Sequence, residues 1–252
     1  MKTSKVNLIY FSPTGTSKKT LEAVAKGLGI KGVEHIDLTP PDAAGKSHAI
    51  PAGGLAVFAV PVYSGRVPPV AAQRLRTVKG NGTPAVLVAV YGNRAIEDAL
   101  VELRDITTEQ GFKAIASASF IGEHSFSTEA TPIAPGRPDK EDLEKAKKFG
   151  EQVKAKLDGM AKPIEITIPG NRPYRKRNPS GPRFPDTTVE SCTLCGGLPH
   201  QVDNCLGQGR DYEGELHRLL GLRQGLPDGG EGLDERGGEE GDGVAPHRVQ
   251  QA

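Results

Sequence analysis

Short apolar runs alternate with amphipathic stretches through the first 165 residues. Runs rich in β-branched residues predict five strands, at residues 5–11, 33–38, 55–60, 85–91 and 114–120. Stretches with apolar residues three and four apart predict helices at residues 17–28, 70–78, 96–110 and 139–157. The run at 55–60 is apolar at every position, which is typical of a strand covered by helices on both faces.

This alternation predicts an α/β fold, in which a five-stranded parallel sheet lies between two layers of helices. Ligands of such sheets sit beyond the carboxyl ends of the strands, where the strand order reverses. We therefore expect the chemistry in the loops that follow the first, third, fourth and fifth strands. These loops are residues 12–17, 61–69, 91–95 and 121–128.

The loop after the first strand predicts a site for a phosphate group. Its candidate ligands are four hydroxyl residues and a glycine: Ser12, Thr14, Gly15, Thr16 and Ser17. The loop runs into a predicted helix, whose unbonded N–H groups and dipole favour an anion. It contains no Lys or Arg, which suits a phosphate monoester held by neutral donors. A loop that only caps the helix is the alternative, but four hydroxyls exceed what one cap needs.

Other nucleotide and phosphate motifs are absent from the sequence. There is no GxxxxGK[ST] segment and no G-x-G-x-x-G after the first strand, which excludes the P-loop and dinucleotide fingerprints. No aspartate ends the first or third strand, and no cysteine lies in the phosphate loop. These absences argue against a phospho-receiver and a thiol phosphatase.

Three loops together resemble a known family. Residues 10–17, YFSPTGTS, look like the phosphate loop of flavodoxins. With residues 61–68, PVYSGRVP, and 90–94, VYGNR, they resemble ferredoxins that carry an N-terminal flavodoxin domain fused to a two-cluster [4Fe–4S] domain. The match covers roughly residues 5–197. It implies a flavodoxin-like three-layer sandwich with strand order 2-1-3-4-5, and FMN as the cofactor.

The resemblance also implies that two loops enclose the flavin ring. Their candidate residues are Val62, Tyr63 and Gly65 in the first loop, and Tyr91, Gly92, Asn93 and Arg94 in the second. Glycine allows close backbone approach to a flat ring, and tyrosine can stack on it. Ordinary packing is the alternative for the tyrosines. For Arg66 and Arg94, a contact with the flavin or a partner and a solvated loop charge both stay open. His124 lies near the same rim, where a histidine more often packs than catalyses.

The composition changes after residue 165. Residues 166–190 form a Pro-rich, basic linker, and residues 191–252 read as an irregular tail that begins with a degenerate ferredoxin-like start. Of the 32 glycines, 14 lie in residues 191–252, among many acidic side chains. Such a composition buries too little apolar surface to order itself, so we predict a disordered tail. The flavodoxin-like FMN-binding domain is assigned to residues 1–165.

The cysteine segment leaves three interpretations open. Cys192 and Cys195 resemble the start of the cluster motif C-x₂-C-x₂-C-x₃-C, but position 198 is Leu, and three cysteines cannot hold two clusters. A truncated or frameshifted end is one interpretation. Zinc is a second, because Cys192, Cys195, His200 and Cys205 have the spacing of a zinc knuckle. A residual or shared iron–sulfur site is the third.

These patterns predict an FMN-binding electron-transfer protein, either a carrier or an FMN-dependent oxidoreductase. The alternative is a flavodoxin-fold scaffold whose zinc knuckle binds nucleic acid. The net charge of +1 is too small to attract nucleic acid or an anionic membrane electrostatically, so neither is expected as a partner. No apolar run approaches the roughly 20 residues of a membrane span, and the N-terminus offers no cleavable signal. We expect a cytoplasmic protein with a redox partner protein.

Overall fold

The computed structural model describes residues 3–177, 186–187 and 231–232. Its strands are β1 (Lys5–Tyr10), β2 (Gly32–Asp37), β3 (His48–Ile50), β4 (Leu55–Pro61), β5 (Val78–Gly80), β6 (Thr83–Tyr91), β7 (Phe112–Ile121), β8 (Asp186–Thr187) and β9 (Glu231–Gly232). Its helices are α1 (Thr16–Leu28), α2 (Pro69–Leu75), α3 (Ala99–Glu109) and α4 (Lys140–Asp158), with a short 3₁₀ turn at Pro41–Ala43. Among the described helices, none combines the length and apolar character needed to cross a membrane.

The main sheet has five parallel strands in the order β2-β1-β4-β6-β7. The two short strands β3 and β5 form a separate parallel pair, so the main strands taken alone follow the order 2-1-3-4-5. This confirms the predicted α/β fold with flavodoxin-like topology. Strands β8 and β9 pair antiparallel.

Two apolar clusters cover the two faces of the main sheet. Alternate residues of β1 divide between them: Val6 and Leu8 join the cluster with α1 and α4, and Ile9 joins the cluster with α2 and α3. The central strands β4 and β6 are buried along nearly their whole length. The continuous apolar run at 55–60 therefore has the predicted cause, a strand covered on both sides.

Two predicted helices differ from the structure at their ends. The helix predicted at 70–78 ends at Leu75, and Val78–Gly80 forms β5 instead, paired with a strand that the sequence pattern did not predict. A three-residue strand is too short for its alternation to stand out. The helix predicted at 96–110 begins only at Ala99, because Glu97 has a left-handed φ of 41°.

Helices α1 and α4 cross at two glycines. A Cβ atom on Gly27 would lie 1.9 Å from the Lys147 carbonyl oxygen. A Cβ atom on Gly150 would lie 2.1 Å from the Val24 carbonyl oxygen. Both obstacles are backbone atoms, so no side chain can turn away to make room. The missing Cβ atoms set how closely the two helices pack over the sheet.

We expect Gly27→Ala and Gly150→Ala each to lower the free energy of unfolding by about 1–3 kcal/mol, because the two helices must separate. Alanine alone would raise helix stability by about 1 kcal/mol, so a loss reports the clash. Urea denaturation followed by circular dichroism measures both. Gly159→Ala is the matched control, since the nearest atom to its Cβ lies 3.7 Å away. Equal stability in all three variants would show that the crossing is not tight.

Candidate cofactor site

The loops after β1, β4, β6 and β7 meet in one cleft at the carboxyl edge of the sheet. The cleft is lined by Ser12, Pro13, Thr14, Thr16, Ser17, Pro61, Val62, Tyr63, Val90, Tyr91, Gly92, Gly122, Glu123, His124 and Ser125. Eight of the twelve residues predicted to bind a cofactor are in this lining. The other four, Gly15, Gly65, Asn93 and Arg94, are not.

The phosphate loop is shaped by its own hydrogen bonds. Gly15 has a left-handed φ of 75° and donates its N–H to the Ser12 carbonyl at 3.0 Å. The Ser12 hydroxyl oxygen accepts the Lys18 N–H at 3.0 Å, which satisfies one of the free amides at the start of α1. The Ser12 backbone N–H donates to the Thr39 hydroxyl at 2.8 Å. Ser12 therefore anchors the loop, and its hydroxyl hydrogen can still donate to a ligand.

The donors left over suit an anion. Thr16 and Ser17 are the first two residues of α1, so their N–H groups have no acceptor within the helix. The Thr14 and Thr16 hydroxyls lie 2.9 Å apart and bond each other. Within the described part of the chain, no hydrogen bond engages the Ser17 hydroxyl. Backbone amides, hydroxyls and the positive end of a helix dipole thus converge on one end of the cleft.

A tight turn brings Tyr63 to the cleft. Tyr63 and Arg66 exchange two backbone hydrogen bonds, at 2.9 and 3.0 Å. The residues between them, Ser64 and Gly65, have φ values of 51° and 75°, so both are left-handed. Val62 is tied to the sheet by its N–H, which donates to the Val90 carbonyl at 2.8 Å. Burial raises the pKa of the Tyr63 hydroxyl above its usual value.

The loop after β6 forms the other wall. Asn93 has a left-handed φ of 58°, and Arg94 forms an ion pair with Glu97, 2.8 Å between nitrogen and oxygen. Both residues are exposed. A Cβ atom on Gly92 would lie 2.4 Å from the His124 ring. A larger residue at this position would force the His124 side chain to move, so Gly92 allows the close approach of the loops after β6 and β7.

The loop after β7 contributes residues that were not among the predicted ligands. A Cβ atom on Gly122 would lie 2.5 Å from the Thr16 Cγ2 atom, so this glycine lets the loop close onto the phosphate loop. His124 lines the cleft, and its Nδ1 atom accepts the Phe126 N–H at 3.0 Å. The position of the loop at the carboxyl edge was predicted from the sequence. The contact of Gly122 with Thr16 joins residues 106 positions apart, which no local pattern reveals.

His124 is held in its neutral form. Burial, and then the positive charge of Arg94, lower the pKa of the imidazole below its usual value. The hydrogen bond at Nδ1 requires that atom to be unprotonated, so the remaining proton of the neutral ring is on Nε2. The cleft therefore contains a neutral N–H donor at the edge of the sheet.

We expect acid to destabilise the wild type more than the His124→Asn variant. The pKa of His124 is lower in the folded chain than in the unfolded chain. Between about pH 7 and pH 5 the unfolded chain therefore binds more protons at His124, and the free energy of unfolding falls as the pH falls. Asparagine has no such proton, and its side-chain oxygen can still accept the Phe126 N–H. Urea titrations across this range compare the two proteins. Parallel pH profiles would contradict the lowered pKa.

The predicted metal ligands cannot be compared with the structure. Cys192, Cys195, His200 and Cys205 all lie outside the described residues. In the part of the chain that is described, no three side chains of His, Cys, Asp or Glu converge as a metal site. The iron–sulfur and zinc assignments stay predictions.

Several solved structures are similar to this chain. A flavodoxin from the domain Archaea is 14% identical, with 61% of this chain and 99% of that one covered and a TM-score of 0.38. A Streptococcus pneumoniae TIGR4 flavodoxin is 18% identical, with 60% and 98% covered and a TM-score of 0.41.

The rubredoxin oxygen:oxidoreductase of the anaerobe Desulfovibrio gigas is 16% identical, with 62% of this chain covered and a TM-score of 0.42. The match spans 36% of that protein's length. The sequence matches no protein-family model and no curated protein. The fold assignment rests on the strand order and register of the chain itself.

Proposed function

We propose that the protein binds FMN and transfers electrons to or from a redox partner protein. The observation that supports this most directly is the single cleft in which the phosphate loop meets both tyrosine-bearing loops. A ligand with a phosphate at one end and a flat ring system at the other would use both parts. FMN has this shape and supplies one- and two-electron transfer when bound.

The phosphate end of FMN fits the donors at the start of α1. The N–H groups of Thr16 and Ser17 and the hydroxyls of Ser12, Thr14, Thr16 and Ser17 belong to residues that line this end of the cleft. A phosphate would accept hydrogen bonds from these donors. The helix dipole adds a favourable field for the negative charge.

The ring end of FMN fits the walls formed after β4 and β6. Tyr63 and Tyr91 both line the cleft, and either aromatic ring can lie against a flat ligand. Gly92 and Gly122 leave no Cβ atoms in the crowded wall. In the proposed complex these residues position the ring and exclude water, and the neutral His124 offers one N–H donor.

We propose that this chain supplies the flavin part of a relay like that of the flavodoxin–ferredoxin fusions. The alternative, a zinc knuckle on a flavodoxin-fold scaffold, depends on cysteines and a histidine outside the described residues. Neither assignment of the cysteine segment enters the argument for FMN, which rests on the cleft alone.

Titration of FMN fluorescence against the purified protein tests the proposal. We expect the wild type to bind FMN tightly and to quench its fluorescence. We expect it to bind riboflavin, which lacks the phosphate, more weakly. Thr16→Val removes one hydroxyl but keeps the branched shape, and we expect FMN binding about tenfold weaker with riboflavin binding unchanged. Thr16→Ser, which retains the hydroxyl, is the matched control.

The proposal fails if the wild type leaves FMN fluorescence unquenched. The assignment of the phosphate loop is wrong if Thr16→Val weakens the binding of FMN and of riboflavin equally, because the loop would then show no preference for the phosphate.

Metal and sulfide analysis of the same preparation tests the cysteine segment separately. We expect the visible spectrum of a flavin without the broad absorption of an iron–sulfur cluster, because the chain has three cysteines. One zinc per chain would instead support the knuckle. Iron with labile sulfide would contradict the expectation and support a cluster.

A further inference from the structure

A chain segment far from the cleft in sequence packs against the Tyr63–Arg66 turn. After α4, the Ile166 N–H donates to the Ala114 carbonyl at 2.9 Å, and Ile168 is buried in the cluster on the α2 and α3 side of the sheet. The chain then runs along α3 as residues 171–177, which we call the docked segment. The Pro-rich, basic composition of this region predicted a linker, yet here it makes specific contacts.

Three acidic residues around the start of α3 hold the turn. The Asp98 N–H donates to the Gly65 carbonyl at 3.0 Å. Glu102 accepts both Nε and Nη2 of Arg66 at 2.7 Å, and also the Val67 N–H at 2.8 Å. Glu97 fills the space above Gly65, where a Cβ atom would lie 1.6 Å from its Oε2 atom.

The same three acids hold the docked segment. Asp98 accepts the backbone N–H of Asn171 at 2.9 Å, its side-chain amide at 3.0 Å and the Arg175 N–H at 2.7 Å. Burial opposes the ionised form, but these hydrogen bonds keep the pKa of Asp98 below its usual range. Glu97 forms an ion pair with Arg175, and Glu102 lies 3.4 Å from the Arg177 guanidinium.

The docked segment also touches the turn directly. The Arg66 guanidinium lies 4.4 Å from the centre of the Tyr174 ring, and its Nη1 donates to the Arg175 carbonyl at 2.9 Å. Arg177 donates to the Val67 carbonyl at 2.6 Å. The Arg66 side chain is only 14% exposed and that of Glu102 only 8%. The stability of a charge pair this buried depends on the hydrogen bonds and packing contacts that surround it.

We propose that the docked segment is a positioning element of the cofactor site, and that it holds the Tyr63–Arg66 turn in the shape that presents Tyr63 to the cleft. Its role toward the flavin rests on the proposed function. The turn needs such support, because Ser64 is a non-glycine residue in the left-handed region. Helix α3 holds one side of Arg66, and Tyr174 with the Arg175 carbonyl closes the other.

Tyr174→Leu in the full-length chain tests this role. Leucine keeps an apolar side chain against the core but removes the ring that faces Arg66. We expect the Tyr63 and Arg66 amides, which bond across the turn, to exchange with solvent about five- to tenfold faster. Amides of the central strand β6 report global opening and measure any loss of overall stability. The Thr128 and Thr131 amides, which bond each other's carbonyls in a separate turn, should stay unchanged. Tyr174→Phe keeps the ring, loses only the hydroxyl that bonds Asp105, and should behave as wild type.

The same variants are titrated with FMN and with inorganic phosphate. We expect Tyr174→Leu to weaken FMN binding about three- to tenfold, with binding of inorganic phosphate unchanged because the phosphate loop is not touched. A role in stability alone would lower the melting temperature without this split between the two ligands.

Wild-type exchange at both turn amides in Tyr174→Leu and in the double variant Arg172→Ala, Tyr174→Leu would overturn the proposal. The double variant removes both side chains that the docked segment places on Asp105. Faster exchange with unchanged FMN affinity would refute the role in the cofactor site. If the wild type does not bind FMN, the proposed function fails, and the exchange data still decide whether the docked segment holds the turn.

Discussion

The site depends on how closely its loops approach one another at the carboxyl edge of the sheet. Gly122 lies where a Cβ atom would be 2.5 Å from Thr16, and Gly92 where it would be 2.4 Å from the His124 ring. At Gly65 the obstacle is the Glu97 carboxylate. Each glycine joins two loops that come from different strands. A Cβ atom at any of the three positions would push the facing side chain away and widen the approach of the loops around the cleft.

Three arginines on or beside the loops of the cleft are committed to other protein groups. Arg66 is paired with Glu102, and Arg94 with Glu97. Arg74 donates to the carbonyls of residues 38, 39 and 40. The described lining of the cleft contains no Lys or Arg, so an anion at the start of α1 would meet backbone amides, hydroxyls and the helix dipole. Such donors are neutral, so they cost no unpaired buried charge when the ligand leaves.

The sequence predicted the central sheet well because β4 and β6 contain unbroken apolar runs and an α-helix follows β1, β4, β6 and β7. It did not predict β3 and β5, which have three residues each and no measurable alternation. The phosphate loop could be predicted because its donors lie within six consecutive positions. Gly122 and His124 could not be assigned to the site in the same way, since their role comes from contacts with Thr16 and Gly92. For Arg66 the sequence leaves open a solvated charge or a contact with the flavin or a partner, whereas in the structure it pairs with Glu102, 36 residues away.

The docked segment shows how a polar pattern can conceal a packed surface. Asp98, Glu102 and Asp105 are spaced four and three residues apart, which places them on one face of α3. Such a stripe is normally a solvated face, and a basic Pro-rich segment is normally a linker. Here the two meet: Arg172 bonds Asp105, Arg177 lies against Glu102, and two backbone amides bond Asp98. Asp98 and Glu102 are buried because residues 171–177 cover them, and their negative charges are balanced by arginines of the segment and the turn. The polar stripe is therefore an internal interface, and it links the segment after α4 to the wall of the cleft.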